Sequence, residues 1–338
     1  MRRYELDLCR ILGCLMVLVI HAGAQVYREC SVFSYGFIGL NIISTAVRSG
    51  VPIFFMLSGA LLLAREQMDV KKLLKNHVLY LSGIFLIWSI IYAVLNRIVS
   101  GDFGTISEFL YSVVSGHYHM WFIPAMVICY LFMPPVHALI HGEKLSHKYL
   151  LLLFFALVLL PANMNLTPDP SPLLYRITQL ISLDWLTYMG YAIWGWWLAS
   201  KTMPKKTLWL APLVFFLCVV LTSAANLWYS VYRREADGWL FDYFSLPNFI
   251  QATAVMCFFL ALKDLKFKHA NTIRAMSDCT LGVYLIHPLM INALEVLGIA
   301  ASPVAPVSSL LAQLVVLAIA CFALVAVAKR IPLLRKLL

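Results

Sequence analysis

Ten stretches of this chain are apolar for long enough to cross, or nearly cross, a lipid bilayer, and nothing else in the sequence limits the fold as much. They run approximately over residues 8–26, 38–63, 78–98, 119–140, 149–163, 184–200, 207–227, 246–263, 279–298 and 307–328. Backbone inside hydrocarbon must satisfy its own N–H and C=O groups, so each stretch is expected to be a helix. Composition agrees: 62% of the 338 residues are hydrophobic and 12% charged, with a mean hydropathy of +0.84. A soluble domain carries roughly twice that charged fraction. The expected fold class is an all-α integral membrane protein of about ten transmembrane helices, a single transmembrane domain over residues 1–338 with no fused soluble domain.

The connecting charges orient the chain. If the segments alternate sides, the even-numbered loops and both termini hold 19 Lys and Arg residues, among them Lys71, Lys72, Lys75, Lys205, Lys206 and Lys329, and the odd-numbered loops hold 5. Positive charge stays cytoplasmic, so both termini are expected inside. The remaining two cations, Arg10 and Arg48, lie within apolar segments. The start, MRRYELDL followed by an apolar run and Ala22-Gly23-Ala24, resembles a signal peptide. Glu5, Asp7, Arg10 and His21 argue instead for a retained first span. The longer loops 99–118, 164–183 and 228–245 then face outward.

The net charge of +10 sits in short loops with no basic-aromatic pattern, so no nucleic-acid partner is expected. Loop lysines at the inner face meet anionic membrane lipids. The eight cysteines form no CxxC pair and fall mostly inside apolar runs, which predicts neither a disulfide framework nor a metal site.

The chemistry-bearing residues lie in four of the apolar segments and at the start of a fifth. In the first, LCRILGCLMVLVIHAGA, Arg10 and His21 are eleven residues apart. At about 100° per residue they fall within ~20° of one another around the helix, roughly 16 Å apart along its axis. Ionisable groups inside a span face a cavity or a partner. In the second, AVRSGVPIFFMLSGALLL, Arg48 is a further intramembrane cation, and Ser58-Gly59 allow close approach of a helix or ligand. Lys72 and Lys75 share a face at the start of the third segment and are candidates to grip phosphate. In GHYHMWFIPAMVICY, His117 and His119 are expected to flank an outer mouth with Trp121 just inside. In SDCTLGVYLIHPLMI, Tyr284 and His287 precede Pro288, which frees a backbone carbonyl and bends the helix.

Four motifs in this order carry a resemblance: Arg10-x10-His21, VPIFFMLSG (51–59), HMWFIPA (119–125) and LGVYLIHP (281–288). The chain resembles the acyltransferase family 3 membrane proteins over nearly its whole length. Within them it most resembles the single-domain O-acetyltransferases, the type acting on enterobacterial common antigen. It departs from the family in one place. The common Arg-x-x-Arg pair of the second cytoplasmic loop is Lys72-x-x-Lys75 here, which keeps the charge and loses the bidentate fork.

The resemblance implies a multi-pass protein of the bacterial inner membrane. Such a protein moves an acetyl or similar acyl group from cytoplasmic acetyl-CoA to a hydroxyl of a cell-surface glycan or its lipid-linked precursor. Arg10, with Lys72 and Lys75, would hold the acyl-CoA phosphates. His21 would act as general base, or carry the acyl group itself. Arg48 or the Trp121 indole would stabilise the oxyanion. His119, Tyr284, His287 and Ser58 would line the acceptor side. Two other classes suit ten spans with polar groups inside: a transporter or flippase for a lipid-linked sugar, and a non-catalytic subunit of polysaccharide export.

Overall fold

The computed structural model describes residues 2–142 and 186–338, and every regular element among them is a helix. The predicted segment 149–163, the loop 164–183 and the cations Lys144, Lys148 and Arg176 lie outside the described residues. In chain order the helices are α1 (Tyr4–Glu29), α2 (Tyr35–Val47), α3 (Gly50–Leu62), α4 (Val70–Leu73), α5 (Tyr80–Ser100) and α6 (Ile106–Ser115). After these come α7 (Phe122–His141), α8 (Thr187–Ala199), α9 (Thr207–Arg233), α10 (Leu246–Leu260), α11 (Ala270–Val296) and α12 (Pro306–Ala328).

Seven helical runs are long and apolar enough to cross a membrane: Tyr4–Glu29, Tyr35–Leu62, Val70–Ser100, Phe122–His141, Thr207–Arg233, Ala270–Val296 and Pro306–Ala328. The expected spans 184–200 and 246–263 contain shorter helices, α8 with 13 residues and α10 with 15. At 1.5 Å per residue these extend only about 20 Å, less than a hydrocarbon core of ~30 Å.

The second expected span is found as the single run Tyr35–Leu62, interrupted within by a two-residue gap in its helical hydrogen bonding. Its run breaks at Arg48-Ser49, between α2 and α3. The cause is Pro52, which has no N–H to give the carbonyl four residues back, that of Arg48. The ladder restarts with Ile53 N donating to the Ser49 carbonyl at 3.2 Å.

Helix α1 runs through the middle of the bundle and packs on α2, α3, α10, α11 and α12. Helices α3 and α8 lie close together, because glycines of each face the other's backbone. A Cβ on Gly59 would collide with the Ala192 carbonyl, and one on Gly195 with the Met56 carbonyl. Close approach of small residues is how apolar helices associate where lipid removes the hydrophobic drive. At one end of the bundle Arg2 pairs with Asp278 at 2.7 Å, and Lys329 donates to the Asp278 carbonyl. The residues preceding α1 and those just beyond α12 therefore meet at the same end.

Candidate active site

A cavity of about 320 Å³ runs beside α1 and is lined by both Arg10 and His21. The helical spacing that put them on one stripe thus faces a single space. Ser58, Arg65, His77 and Tyr130 line the half nearer Arg10, and His119, Trp121, Tyr243 and Tyr284 belong to the half nearer His21.

At the first end Arg10 is held rather than free. Its Nη1 donates to Asp7 Oδ1 at 3.0 Å and to Ser277 Oγ at 2.9 Å. Asp7 is buried and also accepts from Ser277 Oγ at 2.7 Å and from Arg2 Nε at 2.6 Å. Arg2, which precedes α1, has its proton affinity raised, chiefly by that bond to Asp7. The network ties the start of α1 to α11 and fixes the guanidinium at the cavity.

Two more groups join this end that sequence reasoning passed over. Arg65 lies just beyond α3. His77 sits in a π-helical turn, Leu74–Leu79, that connects α4 to α5. The wider turn rotates the helix beyond it, and such turns recur at functional sites. The His77 ring lies 5.0 Å from that of Tyr130, whose hydroxyl is 3.2 Å from Ser58 Oγ. The α3 terminus that carries Arg65 is itself capped from α7. His137 Nε2 meets the Arg65 carbonyl at 2.7 Å and His141 Nε2 meets that of Leu63 at 2.9 Å. Those bonds satisfy carbonyls that a helix end leaves open. Lys72 and Lys75 are exposed at the start of the same run and do not line the cavity.

At the other end four imidazoles cluster. The His21 ring centroid is 4.8 Å from that of His287 and 6.4 Å from that of His119, and His119 is 5.1 Å from His287. His117 Nδ1 lies 2.9 Å from His119 Nδ1, and the His117 ring stacks on Tyr92 at 4.2 Å. His119 is not at the rim, as expected from its place before α7, but fully buried. Its carbonyl accepts from the Tyr284 hydroxyl at 2.6 Å. Among the described residues no group of three His, Cys, Asp or Glu is arranged to hold a metal ion.

Pro288 explains the setting of His287. Lacking an N–H, it leaves the Tyr284 carbonyl without its helical donor. His287 Nδ1 takes that place at 2.7 Å. A carbonyl only accepts, so neutral His287 carries its proton on Nδ1. Its Nε2 is then a lone pair, buried and without a hydrogen-bond partner among the described residues. His119 Nε2 is buried in the same way.

Arg48 stands behind the cavity wall instead of in it. Its guanidinium lies 4.3 Å above the Phe241 ring, and Tyr243, two residues beyond Phe241, does line the cavity. Tyr243 comes just after a short 3-10 turn, Trp239–Phe241, in the connection from α9 to α10. Its ring faces Trp121 at 5.7 Å.

Fold and site together define a multi-pass helical membrane protein with an internal cavity that Arg10 and a cluster of imidazoles both border. The chain belongs to acyltransferase family 3: the family model, described as an acyltransferase domain, matches residues 3–329. This is the family that the four motifs suggested, and the match takes in nearly the whole chain. Among curated proteins, an amino-acid racemase of Enterococcus faecalis is 25% identical over 311 residues, 86% of this chain and 41% of that protein. The chain spans well under half the length of that relative, whose name describes the longer protein. No solved structure matches.

Proposed function

We propose that the protein is an O-acyltransferase that takes an acetyl or similar acyl group from acyl-CoA at the cytoplasmic face and passes it to a hydroxyl of a cell-surface glycan or its lipid-linked precursor. The observation that carries this reading is the shared cavity of Arg10 and His21. CoA has phosphates that cannot enter hydrocarbon and a long thin pantetheine arm. Arg10 and Arg65 offer cationic anchorage at the inner end, and the arm tracks along α1 until the thioester reaches His21. Charge asymmetry between loops, and the meeting of Arg2 and Lys329 at one end of the bundle, support placing that end in the cytoplasm. The setting is then the bacterial inner membrane.

The reaction needs a base and a place for developing negative charge. His21 accepts the acceptor's hydroxyl proton as the oxygen attacks the thioester carbon. The tetrahedral intermediate collapses, the C–S bond breaks and the thiolate takes the proton back from His21. His119, His287 and Tyr284 pack around His21 and hold it and the acceptor in place, and Ser58 borders the path of the arm. Arg48 and Trp121 stand on the side where the carbonyl oxygen becomes an oxyanion.

The test uses purified protein in detergent with radiolabelled acetyl-CoA and lipid-linked glycan extracted from the host membrane. Label should move to the glycan with no membrane gradient, and His21→Ala should abolish transfer while the protein still elutes as folded material. Normal transfer by His21→Ala would remove the base assignment. Absence of transfer by the wild type, with glycan crossing reconstituted vesicles instead, would replace the enzyme by a flippase.

A further inference from the structure

Resting on the donor reading above, we propose that the Tyr130 hydroxyl oxygen accepts a hydrogen bond from an amide N–H of the acyl-CoA pantetheine arm, and that Ser58 holds it in that role. Ser58 on α3 and Tyr130 on α7 both line the cavity, and their side-chain oxygens meet at 3.2 Å. The wall around them is apolar, with Val51, Leu57, Leu61, Leu81 and Met126 on it. Few polar groups in an otherwise apolar wall are what orient a bound molecule.

The donor and acceptor roles follow from counting hydrogens. Ser58 Oγ has one hydrogen and lies 2.9 Å from the Phe54 carbonyl, one turn back on α3. A carbonyl only accepts, so Ser58 spends its hydrogen there. Ser58 therefore accepts from Tyr130, and the Tyr130 hydrogen is spent as well. Tyr130 is buried, and among the described residues no N–H or O–H donates to its oxygen. That oxygen keeps a lone pair and has no hydrogen left to offer. The pair thus matches a ligand that donates and disfavours one that presents a further acceptor.

Pantetheine carries two secondary amides between its phosphate and its thioester, and each has one N–H. Helix α3 places Ser58 at an intermediate depth. One turn before it, the Phe54 ring meets Phe122 at 5.7 Å, and Phe122 meets Tyr284 at 5.7 Å, which in turn meets His119 at 5.3 Å. Ser58 lies about 6 Å further along the axis than Phe54. It comes before the α3 terminus that leads into Arg65. The hydroxyl pair therefore stands between the imidazoles, where the thioester goes, and the cations that take the phosphates.

The experiment is calorimetric titration of the full-length protein in detergent with acetyl-CoA and with two analogues, each having one pantetheine amide N–H replaced by an ester oxygen. One analogue should bind the wild type about tenfold more weakly than acetyl-CoA, because its ester oxygen meets Tyr130 lone pair to lone pair. Tyr130→Phe keeps the ring; it should weaken acetyl-CoA about tenfold and bind that analogue equally well. Ser58→Ala releases the Tyr130 hydrogen to turn into the cavity, so that analogue should bind more tightly than it does to the wild type. A bond that only joined α3 to α7 would shift all three ligands together. Two analogues equal to acetyl-CoA on the wild type, or a preference for the amide that survives Tyr130→Phe, overturns the assignment and leaves the donor reading standing. Should Tyr130→Phe fail to fold, an unchanged preference in Ser58→Ala overturns it alone. A wild type that binds none of the three removes the donor reading, and this assignment with it.

Discussion

Asp7 is the residue whose removal tests the Arg10 end of the cavity most directly. Its carboxylate is buried, with 6% of the side chain exposed, and accepts from Arg2, Arg10 and Ser277. Removing one partner from a fully buried charged pair costs about 3–5 kcal/mol. The Arg2 and Arg10 side chains are 31% and 27% exposed, so water compensates part of that. The expected loss for Asp7→Ala is therefore roughly 2 kcal/mol. Arg10 would also lose its fixed direction. If about 1.4 kcal/mol of its grip on phosphate comes from being held in place, donor affinity falls about tenfold. Two assays separate these effects: heat denaturation of the purified protein read out by size-exclusion chromatography, and calorimetric titration with acetyl-CoA. Asp7→Ala should lower both the midpoint and the affinity, and Asp7→Asn, which keeps an oxygen for Ser277, should fall between. A wild-type midpoint and a wild-type affinity together would refute the reasoning. A lowered midpoint with unchanged affinity would make Asp7 a staple between α1 and α11 and nothing more.

Other expected outcomes rest on particular contacts. Gly59→Ala forces α3 away from the Ala192 carbonyl and should destabilise by about 1–3 kcal/mol, read as a lower denaturation midpoint in detergent. Arg65→Ala should weaken acetyl-CoA binding more than the double change Lys72→Ala with Lys75→Ala, because Arg65 lines the cavity and the lysines do not; titration at two salt concentrations checks this. Pro288→Ala supplies the N–H that the Tyr284 carbonyl lacks, so the helix gains a bond while His287 loses its acceptor. Thermal stability should hold or rise and acyl transfer should fall; full activity would show that the His287 tautomer is immaterial.

Helical periodicity made part of this site legible in the sequence. Arg10 and His21 fall on one stripe of α1 whatever surrounds them, so their common orientation could be read from spacing alone. Gly59 was legible as a close-packing point from its small size, though not that α8 would be its partner. His77 was hidden because a π-helical turn shifts the period, and a 3.6-residue count misdirects every side chain after it. Tyr243 was hidden because it lies in a connection, where no period applies and tertiary packing alone decides which way the ring turns. Hydropathy read residues 38–63 as one span, since Arg48-Ser49-Gly50 is too short to depress a long average. The break there is a backbone event, signalled by Pro52 and not by polarity.

Two prolines each place a polar group that hydrocarbon would otherwise exclude. A regular helix presents side chains only outward and leaves no backbone group for them to use. Pro52 and Pro288 each cancel one donor, at the carbonyls of Arg48 and Tyr284. At the first the ladder opens, and Arg48 sits at the break with its guanidinium over Phe241. At the second the helix continues, and the unused carbonyl takes the proton of His287 and so presents Nε2 as a lone pair. The same missing N–H thus acts in two ways, once by interrupting the hydrogen-bond ladder beside a cation and once by fixing a tautomer. The second result bears on His21 directly, since its ring centroid lies 4.8 Å from that of His287. A channel built only of uninterrupted apolar helices would have neither group in position.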